Sequence, residues 1–553
     1  MTRFRSRAPL SALAALAAAC APAEEGPPFE VLEATIPEMV QAMEEGRVTS
    51  RELVELHLQR IALYEEDVNA VMAVNHHALA IADSLDRLRA QGTILGPLHG
   101  VPVALKDNIH TTEMPTTGGA LAFRGYIPPY RATITENLHA AGAVILAKTV
   151  MTELANYIAA GMPGNYSAVG GYGMNPFDPR RDPREGWDDG RPVMTVAGSS
   201  SGIGTSMSFW AANVGTETSG SILSPSNATM LAAVKPTVGR VSRYGVIPIT
   251  ADQDIAGPMA RTVTDAAILL GVLEGAEPDP NDPSTTRCER PANADYTSFL
   301  NADGLQGARI GIPRAMYYDS VQAPGSDRWR GGLAPEERAL MDEAIQILRD
   351  RGAVIVDPAD IPSVVDPDPE NNLLLAGSSS VLSYGMKRDF NLWLESLGES
   401  APVSTLTELR EWNRAHEHAG AIKYGQVRLD ESDALDLEAD RLRYEEDRAR
   451  DLRLNGEHGI DEVMAALELD ALLFPGPGSA GIAARPGYPT VIVPFGFVPN
   501  DGGRPFPEGF EPLPRPMGVS FTGTACSEPR LLELAYAFEQ ATQRRVAPHA
   551  ATR

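Results

Sequence analysis

Cysteine is almost missing from this chain: three residues in 553, Cys20, Cys288 and Cys526. No paired C-x-x-C and no H-E-x-x-H occurs, so the common zinc patterns are excluded, and His416-Glu417-His418 is a poor substitute because i,i+2 positions on a helix do not face each other. Positive charge is also scarce. Lys and Arg number 47 against 73 Asp and Glu, a formal net charge of −26, which speaks against a nucleic-acid partner and against docking on anionic lipid. The plain reading is a heavily solvated acidic surface. There is no P-loop or Rossmann glycine pattern, so no nucleotide cofactor is implied, and no internal repeat or long low-complexity tract. The apolar share, 43%, is ordinary for a globular protein.

What is present begins with an export-like leader. Arg3, Arg5 and Arg7 precede an apolar run, Ala8–Ala19, too short to span a bilayer. It ends in Ala17-Ala18-Ala19-Cys20, which resembles a bacterial lipobox whose cysteine is lipidated. Residues 1–19 are therefore expected to be a signal peptide and 20–30 a tether. Residues 31–545 are expected to form one catalytic domain, exported and periplasmic or cell-surface, with a possible lipid anchor at Cys20. Whether Cys288 and Cys526 pair or stay as free thiols is open at this stage.

Thr49-Ser50-Arg51-Glu52 reads as a capping box opening a helix, and Ala78–Leu88 as a second helix. Val101–Leu105 is a short apolar run, a buried strand that delivers Lys106 to its end, and Ala141–Leu146 repeats that character after a helical Thr135–His139. This alternation predicts an α/β fold, a large mixed β-sheet core covered by helices on both faces. The stretch 175–191, rich in Pro, Asp and Arg, reads as a surface loop. Further strands are expected at Ala308–Pro313, Ala471–Phe474 and Thr490–Pro494, with helices at Pro335–Arg351 and Arg530–Ala541. Ser527 is the expected cap of the last helix, and the charged helical region from Asn371 to Leu467 a wall over the site.

The chemistry concentrates in two serine–glycine clusters, AGSSSG (Ala197–Gly202) and GTETSGS (Gly215–Ser221), together with the lone lysine of GVPVALKDN. Serines can supply a nucleophile, a buried lysine a base, and glycine-rich backbone the donors for an oxyanion. A lysine at a strand end can equally snorkel to water or pair with Asp107, and serine runs beside glycine are commonly plain turns. In sequence order, GVPVALKDN, GAVILAKTVMTELAN (142–156), AGSSSG, GTETSGSI, AAVKPTVGRVSRYGVIPIT (232–250) and QDIAGPMARTVTDAA (253–267) resemble the amidase signature family of serine hydrolases over roughly Leu53 to Ala541. The pattern is nearest its peptide-amidase branch, and AIKYGQ at 421–426 extends it.

That resemblance implies a Ser–cis-Ser–Lys triad. Ser221 would be the nucleophile, Ser199 the cis-serine that passes its proton, and Lys106 the base, with Ser200 in support. Backbone N–H groups of Thr218, Ser219, Gly220 and Ser221 would form the oxyanion hole. It further implies hydrolysis of small or peptide carboxamides without metal or cofactor. The chain departs from the family at Ser219, at Leu223-Ser224 and in a Ser199–Ser221 segment about two residues short, which bears on substrate more than on chemistry. Three other readings start from the same residues. An esterase or carbamate hydrolase would use the same triad, and an exported binding protein would keep the scaffold without catalysis. An amidotransferase subunit acting on tRNA conflicts with the leader and the acidic balance. A fourth, the G-x-S-x-G elbow with Ser200 as nucleophile and His416, His418 or His458 as base, leaves Lys106 and Ser221 unexplained.

Overall fold

The computed structural model describes residues 29–551. The leader and Cys20 lie outside the described residues. One mixed sheet of eleven strands organises the chain. Its strands in chain order are β1 (Val71–Val74), β2 (Pro102–Lys106), β3 (Val144–Thr149), β4 (Ala212–Glu217), β5 (Ala232–Lys235), β6 (Ile255–Ala260), β7 (Arg309–Gly311), β8 (Val354–Val356), β9 (Ala471–Pro475), β10 (Thr490–Val498) and β11 (Arg515–Thr522). Across the sheet they run β1-β3-β2-β4-β6-β5-β10-β11-β9-β7-β8. The pairs β3–β2, β2–β4, β9–β7 and β7–β8 are parallel and the remainder antiparallel.

Side-chain alternation along β2 shows how the two faces are filled. Val103 and Leu105 join one core cluster, to which the helix Val263–Glu274 contributes Val263, Ala266, Ala267 and Leu270. Ala104 joins another, built with Val54, Ile61 and Val68 of the helix Ser50–Val68 and Ala78, Ala82 and Leu85 of the helix Ala78–Ala90. The expected α/β sheet with helices on both faces is what the chain forms.

The helix Ser50–Val68 opens with the capping box foreseen at Thr49, whose side chain accepts from Glu52 N while the Glu52 carboxylate accepts from Thr49 N at 2.7 Å. Such a cap contributes about 1 kcal/mol. The last helix, Glu528–Thr542, departs from expectation. Ser527 occupies the cap position but makes no capping bond, because its hydroxyl donates back to Thr524 O at 2.7 Å.

The stretch 175–191 has no helix or long strand, yet Asp178, Asp182 and Arg184 in it are buried. Its sequence explains this: each of Asp178, Asp182 and Asp189 pairs with the arginine two residues on, at 2.7, 2.6 and 2.8 Å. Arg184 then stacks between Trp187 and Phe506, 4.3 and 4.1 Å from the ring centroids. The pairing of Cys288 with Cys526, left open by the sequence, is a disulfide between residues 238 apart in the chain. Charged stretches between 381 and 466 fold into successive helices, as expected.

Candidate active site

β2, β3 and β4 are parallel neighbours, and Lys106 is the last residue of β2 while Thr216 and Glu217 close β4. Sites in α/β sheets form at such carboxyl ends of strands. Lys106 is fully buried, and its ammonium group has three partners: Ser199 Oγ at 2.8 Å, Thr216 Oγ1 at 2.8 Å and Thr216 O at 3.1 Å. None of them is a carboxylate. Burial penalises the charged form and brings the lysine down to about 7, against an opposing pull from the charges of Asp254 and Glu217. Thr216 Oγ1 also accepts from Asn108 Nδ2 at 3.1 Å.

The two serine segments meet here. Ser200 N donates to Ser221 O at 3.1 Å, and a Cβ placed on Gly198 would come within 3.2 Å of Ser221 Cα and 3.0 Å of Gly220 O. Gly198 has φ +77°, so both its backbone and its lack of a side chain are required for this approach. Thr152 holds the same turn, its N–H donating to Ser199 O at 3.1 Å and its hydroxyl to Gly198 O at 3.0 Å. The bond before Ser199 is trans, not the cis bond that the family resemblance implies, since the one cis bond among the described residues precedes Pro358. A non-proline cis bond costs about 2.5–4 kcal/mol. Glycine at positive φ, pinned by Thr152, turns the chain here without that cost.

Ser200 is accounted for differently from Ser199. Its hydroxyl donates to Thr216 O at 2.9 Å and accepts from Thr216 N at 3.1 Å, so it pins the strand end and faces no base. The histidines of the elbow reading are engaged elsewhere. His416 stacks on Trp412 with centroids 3.8 Å apart, and His458 lies between Asp366 at 2.8 Å and Glu462 at 2.7 Å. Among the described residues no group of three potential metal ligands gathers.

Ser221 is nearly buried and its hydroxyl makes no hydrogen bond to a described protein group, while Ser219 is exposed. Nor do the backbone N–H groups of Thr218, Ser219, Gly220 and Ser221 donate to any protein acceptor among the described residues. Four unspent amides in one turn beside a free hydroxyl are what an oxyanion hole requires. Past the turn, Glu217 Oε2 accepts from Ile222 N and Leu223 N at 2.8 and 3.0 Å and starts the short helix Leu223–Ala228. Thr216, Asn108 and Glu217 were not singled out from sequence. The position of Thr216 and Glu217 inside GTETSGS, between the two serines, was the available signal.

A desolvated lysine at the parallel strand ends, facing two serine segments, is the architecture of a hydrolase. The Amidase family model matches residues 52–532. A protein of Arabidopsis thaliana named as a probable amidase is 34% identical over 531 residues, covering 94% of this chain and 92% of its own. The native peptide amidase of Stenotrophomonas maltophilia superposes with a TM-score of 0.78 at 34% identity, over 94% of this chain and 99% of that one. An amidase family protein of Bacillus anthracis gives a TM-score of 0.77 at 28% identity, over 94% and 92%. The chain belongs to the amidase family and is an amide-hydrolysing enzyme.

Proposed function

We propose that the chain hydrolyses small uncharged carboxamides, including the C-terminal amides of peptides, through Ser221, Ser199 and Lys106. The observation that carries this reading is the 2.8 Å contact between Ser199 Oγ and a lysine whose pKa is brought to about 7 by burial. A neutral amine has two N–H donors and one lone pair. Thr216 O can only accept, so one donor goes there; with the second donor given to Thr216 Oγ1, which can accept from both Asn108 and Lys106, the lone pair faces Ser199, whose hydroxyl turns its proton toward Lys106. Ser199, which bonds Lys106 but not the unpaired Ser221 hydroxyl in this structure, then takes the proton of Ser221 once substrate brings the two oxygens together and the Ser221 oxygen attacks the amide carbonyl. The tetrahedral oxyanion is met by the amides of residues 218–221, and the proton held by Lys106 returns through Ser199 to the leaving nitrogen. Water hydrolyses the acyl-enzyme by the same path.

Support for the peptide-amide class comes from the likeness to the Stenotrophomonas maltophilia peptide amidase. A Cβ on Gly220 would lie 3.3 Å from the Ala480 side chain, so the 476–495 stretch abuts the serine loop and is a candidate specificity wall. We propose further that the leader directs export; the Cys288–Cys526 bond, of a kind that oxidising compartments favour, supports the compartment and bears in no way on lipidation of Cys20. The chemistry is tested by Ser221→Ala, which is expected to lower kcat by at least about 1000-fold and to abolish labelling by a fluorophosphonate. Wild-type turnover in that variant excludes the relay. A kcat/KM panel of amides, anilides, esters and carbamates then decides substrate class: cleavage of esters alone rejects the carboxamide assignment.

A further inference from the structure

β4 and β6 are antiparallel neighbours, and their register pairs Glu217 with Ile255. One step further, Thr218 of the serine loop therefore stands opposite Asp254, and two residues that bond none of Lys106, Ser199 and Ser221 hold it. The Thr218 hydroxyl donates to Asp254 Oδ1, and the Thr218 carbonyl accepts from Gln253 Nε2 at 3.1 Å. Asp254 is fixed in turn, its Oδ2 accepting from Ile249 N at 2.7 Å and Thr250 N at 2.9 Å. Gln253 is 1% exposed, and its Oε1 has no partner among the described residues. Burying an amide with one end unpaired costs roughly 1–3 kcal/mol, and an apolar side chain of similar size would avoid that cost.

What the Gln253 amide secures is a peptide plane. The unit between Thr218 and Ser219 is trans and planar, so anchoring its carbonyl toward Gln253 aims the Ser219 N–H the opposite way. That N–H has no acceptor among the described residues. On the far side, Ser200 N and the Glu217 carboxylate hold Ser221 O and the amides of Ile222 and Leu223, so the loop is gripped at both ends. Preorganised donors that need not move during reaction are the effective ones.

We propose that Gln253 and Asp254 are positioning residues that preset the Thr218–Ser219 peptide as an oxyanion donor for a carbonyl attacked by Ser221. This rests on the relay proposed above. The test compares Gln253→Met, which keeps the bulk and removes the donor, with the pair Thr218→Val and Thr218→Ser. Readouts are kcat, KM, thermal unfolding and the stoichiometry of fluorophosphonate labelling. Losing an oxyanion donor outright costs on the order of 100- to 1000-fold in kcat, so a displaced one should cost about 10- to 100-fold. Gln253→Met and Thr218→Val are expected to show that loss in kcat with KM within about 2-fold, because the contact strengthens only in the transition state. Thr218→Ser, which keeps the hydroxyl on Asp254, should recover most of it. Full labelling with unchanged kcat in Gln253→Met, or a loss confined to KM, overturns the positioning role and leaves the relay standing. If Gln253→Met does not fold, the Thr218 pair decides alone: equal kcat in Val and Ser variants rejects the proposal. Absence of labelling in the unaltered enzyme rejects the relay itself.

Discussion

Two lysines on adjacent parallel strands are buried to the same degree and do different work. β2 ends in Lys106 and β3 carries Lys148, their register pairing Leu105 with Lys148 and Lys106 with Thr149. Lys148 lies 3.5 Å from Asp107 Oδ1 and donates to Ile109 O at 2.8 Å, Pro115 O at 3.2 Å and Thr116 Oγ1 at 2.8 Å. Burial lowers it to about 8, with Asp107 pulling the other way. Lys106 has hydroxyls and one carbonyl about it, no carboxylate in contact, and sits at about 7. Desolvation makes both lysines easier to deprotonate. A neighbouring carboxylate makes one a charged strut within the loop that follows β2, and a serine hydroxyl able to hand over a proton fits the other to be a base.

That contrast can be broken most directly by removing each lysine. Lys106→Ala is expected to reduce kcat/KM at least about 1000-fold while the unfolding temperature stays close to that of the unaltered enzyme, as measured by steady-state kinetics beside calorimetry. Lys148→Met should do the reverse in emphasis. It leaves Asp107 buried without its countercharge, a loss of roughly 3–5 kcal/mol in stability readable by denaturant unfolding. A stable Lys148→Met enzyme together with an unfolded Lys106→Ala would invert the assignment.

A smaller effect is expected at Thr216, whose hydroxyl orients Lys106 and accepts from Asn108. Thr216→Val preserves the strand and removes the hydroxyl, and should lower kcat/KM about 10- to 100-fold through misplacement of the amine. An unchanged rate would mean that Ser199 and the Thr216 carbonyl suffice to hold the lysine.

The finest discrimination is by pH. Lys106 accepts a proton only when neutral, and burial puts its pKa at about 7, so kcat/KM should rise through an acid limb near pH 7 and fall away below it. Asp107→Asn removes the charge beside Lys148, which lowers that lysine further. Asp107 is not among the groups acting on Lys106, so the limb should stay in place. Asp254→Asn removes a charge that raises Lys106, and should move the limb to lower pH. Movement of the limb in Asp107→Asn would show that the two lysines are coupled rather than separate.

Local signals were legible where they depend on neighbours in the chain. The capping box at Thr49, the strand ending in Lys106 and the helix across Thr135–His139 follow from spacing and side-chain type, and all three form. Ser527 shows the limit of such signals, because a hydroxyl at a cap position can bond backward to Thr524 O as well as forward. The D-x-R triplets of 175–191 were visible as composition, but their burial depends on Trp187 and on Phe506, more than 300 residues from the loop's start.

By itself the sequence determined the alternation of strand and helix, the apolar strand that ends in Lys106 and the presence of two serine clusters able to act with it, since apolar period and residue type carry that information locally. Only the tertiary structure decided which serine meets the lysine. Ser199 and Ser200 are adjacent in the chain, and the turn at Gly198 sends one hydroxyl to Lys106 and the other to the backbone of Thr216. It likewise decided the trans bond before Ser199, the joining of Cys288 to Cys526, and the grip of Gln253 and Asp254 on Thr218. Each of these depends on a distance between segments that strand order and register set, and no local pattern encodes such a distance.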